Sequence, residues 1–177
     1  NEYGWKGTSE SNYDVKGLKQ LFDSKVSVFS LDADSASRRG FSPDHLVRFS
    51  YSDISPEDIQ LLRETLDLTS VSADVAYSLE AHFGRGNWFQ GFTKLDTEQM
   101  NDLANKINVN GSALASLRRR LDRLTRFDFV TENRVEDSAN MIIDRLRAGQ
   151  HVVLEFGKHG NNATAYMLVA NILTRRI

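Results

Sequence analysis

Apolar and polar positions alternate with two different periods along this chain, and the change of period divides it. Val15, Leu18 and Leu21 or Phe22 fall on one helical face, which predicts a short amphipathic helix over residues 14–23. Residues 25–31 (KVSVFSL) alternate apolar and small polar side chains and predict a strand, as do residues 46–51 (LVRFSY). Residues 1–13, rich in Gly, Ser and Asn, and residues 32–44, with Arg38, Arg39, Gly40 and Pro43, predict loops. From residue 55 the period is that of helices. Ser55-Pro56-Glu57-Asp58 is a start signal: Ser55 can accept from orphan amides, Pro56 suits the first helical position, and the acids meet the positive end of the helix dipole. That helix runs to about residue 66. Others are predicted over 72–83 (Val75, Leu79, Phe83), over 97–107 behind Asp96, and over 112–125 behind Asn110 and Gly111. Gly84, Gly86 and Gly91 break the stretch around Trp88, Phe89 and Phe92. A helix over 135–148 starts with Glu136 and Asp137 and ends with Arg145, Arg147 and Gly149. Residues 151–156 (HVVLEF) predict a strand buried between helices, followed by a turn over 157–160 and a last helix from about 161.

This order predicts an α/β fold that is mostly helical. Residues 1–54 and 149–177 read as pieces of one sheet layer, and residues 55–148 as a helical unit between them. Composition narrows the chemistry. The 177 residues contain no cysteine, which removes disulfides, thiolate zinc sites and a cysteine nucleophile. With 22 basic and 24 acidic side chains the net charge is -2, so binding to nucleic acid would need a local basic patch. No apolar run approaches the roughly 20 residues of a membrane span, and a cytoplasmic location is expected.

The candidate chemistry is sparse. Residues 157–164 (GKHGNNAT) join a strand to a helix, the place of a phosphate loop, and Lys158 could neutralise a phosphate. The tract lacks the Gly, four residues, Gly-Lys-Ser/Thr order of that loop, and a tight turn capped by Asn161 is the plainer reading. Arg118, Arg119, Arg120, Arg123 and Arg126 make the helix over 112–125 the most basic segment. Leu114, Leu117, Leu121 and Leu124 mark its buried stripe, and Arg119, Arg123 and Arg126 form a second stripe away from it. Those arginines suit a phosphate backbone, an acidic neighbouring subunit, or a solvated face. His45, His82, His151 and His159 have no metal-ligand spacing, so no metal site is expected. No Gly-x-Ser-x-Gly elbow is present.

Two end segments carry a resemblance. Asn1-Glu2-Tyr3-Gly4 resembles the Glu-Tyr stretch after the phosphate-loop strand in HerA/FtsK-type ATPases. Residues 149–157 (GQHVVLEFG), with the helix over 165–177, resemble the strand and helix before the Walker B strand in the archaeal and bacterial HerA-like branch. The layout between them is similar too, so the resemblance spans the chain. It implies part of a RecA-like sheet with a helical insertion, taken from a hexameric ring that moves along double-stranded DNA. It also implies ATP and magnesium held by Walker motifs, here expected before Asn1 and beyond Ile177. Glu2 alone matches a motif near the nucleotide, and the chain alone is expected to be inactive as an ATPase. A cut of that kind is expected to leave Leu168, Ile172 and Ile177 without partners. The alternative is a non-catalytic helical module for protein interaction or DNA binding.

Overall fold

The computed structural model describes residues 5–6, 14–15, 21–38, 42–133 and 136–176. In chain order the elements are β1 (Trp5–Lys6), β2 (Asp14–Val15), β3 (Val26–Ser30), α1 (Ala33–Arg38), β4 (His45–Leu46), β5 (Phe49–Ser50), α2 (Pro56–Leu61), α3 (Ser70–Phe83), α4 (Trp88–Thr93), α5 (Thr97–Lys106), α6 (Gly111–Leu124), β6 (Val130–Thr131), α7 (Ser138–Arg147), β7 (His151–Glu155) and α8 (Ala163–Thr174). Short 3-10 turns lie at Asp23–Lys25, Tyr51–Asp53 and Gly157–His159. The fold is α/β and mostly helical. It divides into two compact units, Asn1–Val47 with Ser138–Asn161, and Arg48–Asp137 with Asn162–Ile177.

The first unit holds a parallel sheet in the order β4-β3-β7, with Val26 opposite His151 and Ser30 opposite Glu155. β3 is buried along its whole length, because a central parallel strand is covered on both faces. Its alternating pattern therefore does not mark a solvent face. Among the described residues β7 is the outermost strand of this sheet, and it is half-exposed from Val152 to Glu155, not buried between helices. Gln150 ties the two strands where they begin: its Oε1 accepts from Ser27 Oγ at 3.0 Å and its Nε2 donates to the Ser24 carbonyl at 3.1 Å. Asp14 and Val15 are extended and pair antiparallel with Lys6 and Trp5, so the helix predicted over 14–23 does not begin there. Backbone pairing satisfies groups that an isolated helical turn would leave open. The loop predicted over 32–44 contains α1, a glycine-free run with Asp34 in its first turn and Arg38 in its last. Glu136 and Asp137 precede α7, and Val135 lies outside the described residues.

The second unit is built of α2–α6 and α8 around a small parallel pair, β5 and β6. Side-chain caps set the helix starts. Thr69 Oγ1 accepts from Ser72 N at 3.1 Å, Asp96 and Gln99 cap each other, Asn110 Oδ1 accepts from Ser112 N at 2.8 Å, and Asn162 Oδ1 accepts from Ala165 N at 3.0 Å. The last helix thus starts behind Asn162, one residue later than the sequence suggests. The leucine stripe of α6 is buried, with Ile59, Leu79, Trp88, Phe89 and Phe92 in the same core; each such side chain contributes about 1.5–3 kcal/mol. Leu168 and Ile172 are fully buried, contrary to the expectation of unpartnered residues, and Ile177 lies outside the described residues.

Three further boundaries differ from the sequence reading. α2 ends at Leu61, and turns follow to Asp67, whose φ is +54°. Residues 46–51 are no single strand, since β4 and β5 belong to different sheets. Gly91 lies inside α4, where a Cβ would stand 2.8 Å from the Phe83 ring. It is a packing glycine, and it does not break the helix.

Candidate functional site

Lys158 sits in the 3-10 turn after β7, in the first unit. Gly157 has φ +53°, and a Cβ there would meet Asp32 Cβ at 2.5 Å. The missing side chain lets the turn close on the buried Asp32, whose Oδ2 accepts from Lys158 N at 2.9 Å. A carboxyl group of this chain therefore takes the Lys158 amide, one of the donors that a phosphate loop would turn towards its ligand. The described residues of this turn do not fit ATP. The Lys158 side chain itself is exposed. Glu2 lies outside the described residues.

The α6 arginines separate into two groups, both in the second unit. Arg118 Nη1 donates to the Phe92 carbonyl at 2.7 Å and the Leu95 carbonyl at 3.3 Å, and Arg118 Nε to Asp122 at 3.1 Å. It thereby caps the end of α4. Arg120 pairs with Asp67. Arg119 and Arg123 stand on the opposite side of the helix from the leucine stripe, and all three of Arg119, Arg123 and Arg126 are exposed. Among the described residues these three have no hydrogen bond or ion pair. Arg126 lies two residues beyond the end of α6 rather than on it.

A third constellation escaped the sequence reading. Asp53 Oδ2 accepts from Ser50 N at 2.8 Å and Ser50 Oγ at 3.1 Å, while its Oδ1 accepts from Arg176 Nη2 at 2.7 Å. Five residues on, Asp58 Oδ2 accepts from Ser55 N at 2.8 Å, Ser55 Oγ at 3.1 Å and Arg175 Nη2 at 2.9 Å. Arg175 Nη2 also donates to the Asp53 carbonyl at 2.6 Å, and Arg176 reaches Asp137 at 3.6 Å. Trp88 Nε1 donates to the Ile54 carbonyl between the two aspartates at 3.0 Å. The signal was the repeat Ser-x-x-Asp at 50–53 and 55–58, matched by the consecutive arginines 175 and 176.

Burial pushes the Asp58 carboxyl above the usual carboxylate range, against the pull of Ser55 and Arg175. Glu57 moves the other way, lowered by its own amide and the Ser55 hydroxyl at the helix start. A cleft of about 200 Å³ adjoins the cluster, lined by Ser52, Asp53, Glu80, Arg85, Arg175 and Arg176. Its charges are nearly balanced, and the two buried carboxylates are already engaged as acceptors. The arrangement holds the end of α8 to the start of α2.

Against known families, the whole chain, residues 1–177, matches the family described as helicase HerA, central domain. No curated protein and no solved structure matches it. No helix among the described residues is long and apolar enough to cross a membrane.

Proposed function

The chain belongs to the helicase HerA central domain family, and on that premise we propose that it is part of an ATP-driven translocase that moves along double-stranded DNA as a homo-oligomeric, hexameric ring. The observation that carries the proposal is family membership over the whole chain, joined to a parallel sheet and a helical unit. ATP and magnesium would be held by the family's Walker motifs. The turn at Gly157–Lys158 is filled by Asp32 and derives no step in that chemistry. Glu2 is the residue proposed to lie near the nucleotide.

The basic contacts that this chain offers to the assembly are Arg119, Arg123, Arg126 and Lys158, facing a phosphate backbone or an adjoining subunit. The test is ATP hydrolysis by the polypeptide that carries this chain together with the Walker motifs. Turnover stimulated by duplex DNA is expected, and turnover indifferent to DNA refutes the proposal. The 177 residues alone are expected to release no phosphate from ATP, because phosphoryl transfer needs a phosphate cradle, a metal and a water-orienting carboxylate in one place.

A further inference from the structure

The three arginines of the second unit that have no partner among the described residues have a complementary surface on the same unit. α3 packs against both α2 and α6. Its outer face, with that of α2, exposes Leu61 (58%), Val71 (61%) and Tyr77 (42%). The exposed acids Glu57 and Asp74 and the half-buried Glu80 lie beside Tyr77, and Glu64 is exposed in the turn that follows α2. Gln60 Nε2 donates to Asp74 Oδ1 at 2.6 Å and joins the two helices into one surface. Glu57, Asp74 and Glu80 all lie close enough to Tyr77 to add to the effect of burial in holding its hydroxyl above its ordinary value. Arg85 and Arg175 act on the Glu57 edge of this surface.

We infer that the arginine row Arg119–Arg123–Arg126 of one copy docks on the acidic, partly apolar α2–α3 face of a second copy, in a head-to-tail contact. The inference rests on the ring reading above and names the surfaces that would build the ring from the helical unit. Within one chain Arg119 and Arg123 point away from the buried leucine stripe of α6, so row and face belong to different surfaces. Two different, complementary patches on one molecule make a heterologous contact, which closes into a ring when the rotation permits. Arg118 and Arg120 are held by Asp122 and Asp67, which leaves the row as a stripe of charge without partners among the described residues. Arginine suits carboxylates through its fork of donors, and its stem covers apolar side chains such as Leu61 and Val71. A DNA backbone would engage the row through its phosphates and leave the exposed apolar trio without a role.

Charge reversal tests the inference by sedimentation velocity at low ionic strength, on the 177-residue chain. The wild type is expected to self-associate. Row-reversed R119E/R123E and face-reversed E64K/D74K should each weaken association about tenfold or more, since like charges then meet across the contact. An equimolar mixture of the two should recover it, and so should a single chain carrying all four substitutions. These positions are exposed, and unchanged circular dichroism and melting would show that folding is intact. Association that survives both reversals, or that the mixture does not restore, overturns the docking and leaves the ring reading standing. A wild type that stays monomeric overturns the docking and counts against ring formation by this chain. A row-reversed variant that loses only duplex DNA affinity, with association unchanged, assigns the row to DNA and overturns the inference as well.

Discussion

Removing the Asp58 carboxylate should cost the second unit a large part of its stability, and the structure says how. Asp58 is 1% exposed and accepts from Ser55 N, Ser55 Oγ and Arg175 Nη2. In Asp58→Ala, half the capping box at α2 is lost and the Ser55 amide is left without its acceptor, which together cost about 1–2 kcal/mol. Breaking a fully buried ion pair costs roughly 3–5 kcal/mol. The Arg175 side chain, however, is 32% exposed and keeps its bond to the Asp53 carbonyl, so it can hydrate. Its share falls to about 1 kcal/mol. The expected loss is about 2–3 kcal/mol, against a total of roughly 5–15 kcal/mol for a domain.

Urea unfolding followed by circular dichroism measures that loss, and a cycle with Arg175→Ala isolates the pair at about 1 kcal/mol. A loss below about 1 kcal/mol, or a cycle that closes at zero, would refute the reasoning. The pH dependence supplies an independent sign. Burial raises the folded pKa of Asp58, so the folded chain holds this proton more tightly than the unfolded one. Stability from Asp58 is therefore greatest below its unfolded pKa of about 3.9. It declines as pH rises towards the folded value and is constant above it. The stability gap between wild type and Asp58→Asn should narrow as pH rises across the carboxylate range. A widening gap would mean that Arg175 and Ser55 outweigh burial.

Substitutions at Gly157, Gly91 and Asn110 probe close packing and helix capping. Gly157→Ala forces a Cβ against Asp32 at a positive φ and should destabilise by about 1–3 kcal/mol in urea unfolding; a neutral result would disprove the close approach. Gly91→Ala should be unfavourable in the wild type, where Phe83 occupies the space, yet stabilising by up to about 1 kcal/mol over Phe83→Ala alone, because helix propensity then acts unopposed. Asn110→Ala should cost about 1 kcal/mol and Asn110→Gly only a few tenths, since glycine leaves the cap amides open to water; equal losses would show that Asn110 does not cap α6.

What the sequence by itself determined was local. The α6 leucines at three-four spacing could bury only one stripe, and they did, which forced Arg119 and Arg123 outward. Ser55, Asp96 and Asn110 mark their helix starts because a cap side chain accepts from amides two or three residues away, within reach of a short-range pattern. The end segments also carried the family resemblance that the whole-chain match bears out.

Tertiary structure decided whatever depends on neighbours far along the chain. That β3 is central and β7 outermost among the described strands follows from which strands pair, not from their composition. Gly91 reads as a breaker until Phe83, eight residues earlier, fills the space beside it. The turn at Gly157–Lys158 reads as the place of a phosphate loop until Asp32, 126 residues from Lys158, takes the Lys158 amide and leaves only its side chain exposed. Asp58 reads as an ordinary helix-start acid until Arg175 arrives from just beyond α8, more than a hundred residues on, as Arg176 does for Asp53. Capping and amphipathic spacing act within a turn or two of helix, whereas partners for buried charge are chosen by the fold, where distance in sequence has no bearing on distance in space.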